Sequence, residues 1–155
     1  MNNIPLQQQD KIRELLDQRG KEYGSFPRIT ELASSLTNKM VKETKIYLHD
    51  YSIKPNNKQK NMLFFTCLML SVKTARLLNQ PNHQDTKDDI KGYIQLLVDN
   101  IAGLNEYHNI SPQYFLQGMI KGVKKFKTTI KHHNSHILSF LVECLMNATP
   151  HTQQD

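Results

Sequence analysis

Residues 61–72 read NMLFFTCLMLSV, and this stretch decides the fold class. Its apolar residues occupy nearly every side of a helix, which we predict to run over about residues 57–78. A helix of this kind is usually the central and most buried helix of a protein. The most apolar part, Met62 to Leu70, is far shorter than the roughly 20 residues that a membrane span requires. The sequence therefore predicts a buried central helix in a soluble protein.

The segments before this helix have the apolar spacing of two further helices. The first is predicted over about residues 6–19, with Gly20 as its end. The second starts near Pro27, because proline suits the first turn of a helix, and its apolar stripe continues to Leu48. Residues 51–60 contain a proline and two adjacent asparagines, which is typical of a loop.

Three more helices are predicted towards the carboxyl end. Asp85 provides an acidic start for the fourth helix. Ser111 and Pro112 are a typical start for the fifth, since serine caps the first turn and proline opens it. A sixth follows from about Ser135, and no segment alternates as a strand would. We therefore predict an all-α fold, a single-domain bundle of about six helices over residues 1–155.

The cysteines and the start of the chain indicate the compartment. Cys67 and Cys144 lie inside apolar helical patterns, so they are predicted to be core residues rather than a disulfide or zinc ligands. Residues 1–10 are polar, without the basic and apolar parts of a signal peptide. We expect a soluble protein in a reducing cytoplasm, with no membrane contact.

Positive charge is concentrated towards the carboxyl end. The chain has 20 Lys and Arg against 14 Asp and Glu, and residues 107–155 have five lysines against two carboxylates. This balance favours an acidic partner, such as nucleic acid, a nucleotide or an acidic protein surface, although solubility alone explains it nearly as well. Four lysines lie away from the apolar stripe of the fifth helix and are candidate contacts with phosphate or an acidic partner: Lys121, Lys124, Lys125 and Lys131.

Charged residues also flank the turn after the third helix. They are Lys73 and Arg76 on that helix, and Asp85, Asp88 and Asp89 on the fourth. Antiparallel packing would bring these cations and carboxylates together. One interpretation is a site where the carboxylates hold Mg²⁺ and the cations hold a phosphate group. The other is an ion-pair lock between the two helices, with Gly92 allowing their close approach.

Tyr23 and Phe26 form a third candidate, at the turn between the first two helices. Two aromatic side chains there are suited to contact a base or a partner side chain. The alternative is a hydrophobic staple that leads into the second helix. The sequence has no Gly-rich phosphate loop and no nucleophile motif, so nucleophilic catalysis has no support.

Two segments, KEYGSFPRITELASSL (residues 21–36) and LSVKTARLLNQPNHQDTKDDIKGYIQLLVD (residues 70–99), resemble an uncharacterised family of small helical phage and prophage proteins. The shared pattern is Tyr-Gly-x-Phe, then Lys-x-x-Arg, then Asp-x-x-x-Asp-Ile-x-Gly-Tyr, which begin here at Tyr23, Lys73 and Asp85. The resemblance implies a family-like core over residues 6–104, followed by a basic C-terminal helical extension over residues 111–147.

That family is in turn similar to the MazG-like all-α nucleotide pyrophosphohydrolases, which hold Mg²⁺ with acidic motifs on two helices. Only the second motif has a counterpart here, Asp85 with Asp88 or Asp89. The resemblance therefore implies first a non-catalytic binding protein of phage or mobile-element type, in the cytoplasm of a bacterial cell. Such a protein would act on a host or nucleic-acid-associated protein machine, for example by inhibiting a defence system.

Two alternatives remain open beside this first hypothesis. One is a Mg²⁺-dependent nucleotide pyrophosphohydrolase or a nucleotide-binding protein. Another is a nucleic-acid binder that uses the basic C-terminal helix. The resemblance to MazG-like cores also implies a homodimer, by analogy only, whichever function applies.

Overall fold

Six α-helices make up the part of the chain that this computed structural model describes, residues 3–101, 110–130 and 135–151. They are α1 (Leu6–Tyr23), α2 (Phe26–Asp50), α3 (Asn57–Asn79), α4 (Gln84–Ile101), α5 (Pro112–Thr129) and α6 (Ser135–Asn147). No strand occurs in these three ranges. The prediction of an all-α, single-domain bundle of about six helices is confirmed.

Side-chain caps explain where α3 and α5 begin. Asn56 precedes α3, and its side chain accepts a hydrogen bond from the Gln59 N–H at 2.8 Å. The Asn56 N–H donates in return to Gln59 Oε1 at 2.8 Å, so two N–H groups at the helix start are satisfied reciprocally. At α5, the Ser111 hydroxyl accepts from the Gln113 N–H at 3.3 Å, and Pro112 opens the first turn. The predicted start of α5 is therefore confirmed.

The end of α1 differs from the prediction. The helix continues through Gly20 and ends at Tyr23. Gly24, which follows, has a φ of 95°, a conformation that glycine adopts without strain. Helix α1 has no buried residue, and Asn79 Nδ2 holds its last turn by donating to the Glu22 carbonyl at 3.0 Å.

Helices α2 and α5 form the most extensive contact of any helix pair. Glycines make this approach possible, because a Cβ at Gly118 would lie 2.4 Å from Thr44 Cα, and one at Gly122 would lie 2.5 Å from Met40 Cα. The expectation for Gly92 was wrong, since nothing lies within 4 Å of where its Cβ would be. The glycines that allow close approach are therefore on α5 rather than α4.

One core joins both halves of the chain. Leu36 and Met40 of α2, Phe115 and Phe126 of α5, and Leu141 of α6 are all buried within it. Residues 111–147, predicted as a basic extension, thus contribute large side chains to the same core as residues 6–104.

Helix α3 is central, but it is not buried on every side. It contacts α1, α2, α4 and α6. Four of its apolar side chains are nevertheless more than a third exposed: Phe64, Phe65, Leu68 and Val72. Within the described ranges, α3 is the one helix long and apolar enough to cross a membrane, judged by length and composition only. Half of that apolar window is buried inside the protein.

Both cysteines are free thiols, as the sequence predicted. Cys67 is fully buried in α3, and Cys144 of α6 packs half-buried against the core. Burial raises the pKa of both thiols, which keeps them protonated at neutral pH and therefore weakly reactive.

Candidate functional site

Lys73 of α3 and Asp89 of α4 form an ion pair between the two helices. Lys73 Nζ lies 3.0 Å from Asp89 Oδ2, and the two side chains are 19% and 49% exposed, respectively. The geometry is that of the ion-pair lock, one of the two interpretations of this charged segment. The exposure of Asp89 keeps the contribution of the pair to stability small.

Arg76 is held by an aromatic ring and an imidazole. The carbon of its guanidinium group lies 3.8 Å from the centre of the Tyr23 ring, a cation–π contact that ties the end of α1 to α3. Arg76 Nη2 also lies 3.3 Å from His83 Nε2, and His83 Nδ1 lies 2.8 Å from the Thr86 hydroxyl at the start of α4. These contacts link the guanidinium group of Arg76 to the end of α1 and to the residues that precede and start α4.

Asp85 and Asp88 are both exposed on the first turns of α4. Asp88 Oδ1 accepts a hydrogen bond from Gln84 Nε2 at 2.9 Å. Asp85 lies in the first turn, where the helix dipole favours negative charge. Among the residues that the structure describes, no three His, Cys, Asp or Glu side chains are grouped closely enough to hold a metal ion.

Replacing Asp89 with asparagine is expected to lower the free energy of unfolding by about 0.5 kcal/mol, because half of the carboxylate is already in water. Urea denaturation followed by circular dichroism measures this loss. Asp88→Asn is the matched control, since Asp88 lies one position earlier and bonds to Gln84 rather than to Lys73. A loss above about 2 kcal/mol would contradict the assignment of a solvated pair.

The two aromatic residues predicted at the first turn have different environments. Tyr23 packs against Arg76 and therefore serves to hold α1. Phe26 is the first residue of α2 and is 79% exposed, so its ring is available to a partner.

Lys125, one of the four lysines predicted to contact an acidic partner, is used within the fold. Its Nζ lies 2.6 Å from Glu43 Oε1, and the Glu43 side chain is only 7% exposed. Lys125 therefore neutralises a buried carboxylate of α2. Lys131 lies outside the described residues.

Lys121 lies beside a cluster of tyrosines. Its Nζ is 5.0 Å from the centre of the Tyr47 ring. Tyr47 lies in the last turn of α2 and Tyr51 directly follows the helix, with ring centres 4.7 Å apart, and the ring of Tyr114 of α5 lies 5.4 Å from that of Tyr51. Lys124 lies one turn after Lys121 and is exposed. We call these five residues the tyrosine–lysine surface.

The tyrosine–lysine surface combines phenol groups with positive charge. Tyr51 is 55% exposed, while Tyr47 and Tyr114 are half-buried. A hydrogen bond between the Tyr47 and Tyr51 side chains raises the pKa of Tyr47, and burial adds to this effect. Helix α5 has no Asp or Glu, so none of its own side chains neutralises the lysines. Tyrosines that offer both an apolar ring and a hydroxyl group are common at protein interfaces.

The sequence did not single out these tyrosines. Tyr47 and Tyr51 have the i, i+4 spacing of residues on one helix face, which was a usable signal. Residue 51 was predicted to begin a loop, and it does follow the last residue of α2, Asp50. Tyr114 comes from a helix far away in the sequence, so its place in the cluster depends on the pairing of α2 with α5.

No protein-family model, no curated protein and no solved structure matches this chain. The relation to phage proteins and to MazG-like enzymes therefore remains an expectation from the sequence motifs.

Proposed function

We propose that this protein is a non-catalytic binding protein, and that its tyrosine–lysine surface recognises an acidic surface of a protein partner. The observation that carries the proposal is the position of Lys121 over the Tyr47 ring, beside Tyr51 and Tyr114. Tyrosine is enriched among the residues that contribute most to protein–protein affinity. The adjacent lysines supply charge that complements carboxylates and speeds association with them.

The arrangement of the rings favours a protein partner over single-stranded nucleic acid. Base stacking requires an aromatic ring with a free face. Here the rings of Tyr47 and Tyr51 pack against each other at 38°, those of Tyr51 and Tyr114 pack at 57°, and Lys121 lies over Tyr47. Because the rings contact one another and a lysine, the surface offers edges, hydroxyl groups and charge rather than separate stacking platforms.

The charged residues of α3 and α4 support binding rather than catalysis as the proposed activity. Lys73 is paired with Asp89, and Arg76 is stacked on Tyr23, so both cations are used within the fold. The family resemblance supplies the proposed setting, which is a phage or mobile element in a bacterial cytoplasm. There the partner would be a host or nucleic-acid-associated protein machine, such as a defence system.

A charge reversal tests this proposal. The double variant Lys121→Glu with Lys124→Glu is expected to retain its partner from a nuclease-treated bacterial lysate at least about tenfold less well, because repulsion replaces attraction. Quantitative mass spectrometry of the retained proteins measures the change. The matched control is Lys11→Glu with Lys21→Glu, which makes the same change in net charge on the exposed surface of α1. Equal losses in the two double variants would refute a specific surface.

Two titrations test the alternative functions, which are nucleic-acid binding and nucleotide binding. Fluorescence anisotropy with a labelled single strand and a labelled duplex, over a range of salt concentrations, tests nucleic-acid binding. A salt-dependent affinity that falls in the Lys121→Glu, Lys124→Glu variant would replace the protein partner with nucleic acid. Calorimetry with nucleoside triphosphates, with and without Mg²⁺, tests the nucleotide hypothesis. Mg²⁺-dependent binding that Asp85→Asn and Asp89→Asn abolish would overturn the proposal.

A further inference from the structure

An apolar groove lies between the end of α2 and the start of α3, on a different side of α2 from the tyrosine–lysine surface. Its volume is about 930 Å³. Val41 and Leu48 of α2 line one wall, and Leu63 and Phe64 of α3 line the other. Phe64 is 53% exposed, so the groove is open to water along one side.

The edges of the groove are basic. Lys45, Lys54 and Lys60 are among the residues that line it, and all three are exposed. Among the described residues that line it, none is an Asp or a Glu. A ligand that fits must therefore combine an apolar surface with negative charge.

The length and openness of the groove match one face of a helix. Val41 and Leu48 are seven residues apart on α2, which corresponds to about 10 Å along the axis. Apolar residues at positions i, i+3, i+4 and i+7 of a bound helix span the same distance. Because the groove is open on one side, the polar face of such a helix would remain in water.

The segment that closes the end of the groove is fixed by backbone hydrogen bonds. The Ser52 N–H donates to the His49 carbonyl at 3.0 Å, and the Ile53 N–H donates to the Leu48 carbonyl at 2.8 Å. Ser52 has a φ of 57°, the only positive φ of a non-glycine residue in the described ranges. A wall that is already ordered reduces the entropy lost on binding.

We infer that this groove binds an amphipathic helix with acidic flanks that belongs to the protein partner. The inference rests on the proposed function, since it names the part of the partner that would be recognised. Apolar side chains of the bound helix pack on Leu48, Leu63 and Phe64. Its Asp and Glu side chains lie next to Lys45 and Lys60.

Selection from a display library of random peptides of about 16 residues, long enough for about four helical turns, tests the inference directly. The full chain is the target, and enriched peptides are measured by fluorescence anisotropy. We expect apolar residues at helical spacing with Asp and Glu beside them. Phe64→Ser should raise their Kd at least about tenfold, a change equivalent to about 1.4 kcal/mol. Lys45→Glu with Lys60→Glu should have an effect of similar size.

Two matched controls lie outside the groove. Phe65→Ser removes an equally exposed phenylalanine that packs against Tyr93, and it should leave the Kd unchanged. Lys42→Glu with Lys58→Glu repeats the charge change on exposed lysines that do not line the groove. Three outcomes would overturn the inference. The selection could enrich no peptide, it could enrich basic or non-helical peptides, or Phe64→Ser and Phe65→Ser could weaken peptide binding equally. Binding of dodecanoate that displaces the selected peptides without depending on Lys45 and Lys60 would also overturn it.

Lysate capture separates this inference from the proposed function. If Lys121→Glu with Lys124→Glu abolishes capture and Phe64→Ser does not, the tyrosine–lysine surface stands and the groove is not used. If only Phe64→Ser abolishes capture, the groove holds the partner and the tyrosine–lysine surface does not.

Discussion

Alanine at Gly122 is expected to lower the free energy of unfolding by about 3 kcal/mol, and alanine at Gly118 by a similar amount. The added Cβ at residue 122 would lie 2.5 Å from Met40 Cα and 2.7 Å from the Lys39 carbonyl oxygen. These are backbone atoms of α2, which cannot move as a flexible side chain can. The two helices must therefore separate, and the core side chains between them lose their close packing. Thermal unfolding should shift down by about 3 °C per kcal/mol for a chain of this size.

Gly92→Ala separates this steric effect from the change in helix propensity. Gly92 is also inside a helix, but nothing lies within 4 Å of the position its Cβ would take. Alanine there is expected to raise the free energy of unfolding by about 0.5–1 kcal/mol, because glycine is the poorer helix former. If alanine at residues 118 and 122 stabilised the protein as alanine at 92 does, α2 and α5 would not be in the close contact described.

The fold followed from the sequence where local signals were sufficient. The apolar spacing gave all six helices, and the Ser111–Pro112 start was correct because capping involves only adjacent residues. The glycines were harder to interpret. Gly20 and Gly92 continue their helices in open space, whereas Gly118 and Gly122 meet another backbone. The sequence alone does not distinguish these cases, since the difference lies in which helix packs opposite.

In the candidate site, too, contacts between neighbouring helices could be predicted from the sequence, whereas contacts between helices distant in the sequence could not. The pairing of Lys73 with a carboxylate of α4 was one of the expected outcomes, because a short connection places α3 and α4 side by side. The cluster of Tyr47, Tyr51 and Tyr114 depends on the contact between α2 and α5, which are separated by two other helices in the sequence. Lys125 was expected to face an acidic partner. The carboxylate it meets belongs to its own chain, because the same helix contact brings Glu43 within reach.

Removing the charge of Lys125 is expected to have the largest effect on stability after the substitutions at Gly118 and Gly122. Glu43 is 7% exposed, and Lys125 Nζ lies 2.6 Å from its Oε1. In Lys125→Met, the carboxylate stays buried without its cation, which should cost about 2 kcal/mol in the free energy of unfolding. The cost is smaller than for a fully buried pair, because the Lys125 side chain is 59% exposed and water can reach the site. Urea denaturation at constant pH measures it.

The double variant Lys125→Met with Glu43→Met decides whether the unpaired charge is the cause. Removing both charges eliminates the buried carboxylate, so this variant should regain most of the stability that Lys125→Met alone loses. Lys124→Met is the matched control, since Lys124 is exposed on the same helix and should change stability by less than about 0.5 kcal/mol. If the double variant were as unstable as Lys125→Met, the unpaired carboxylate would not be the cause of the loss.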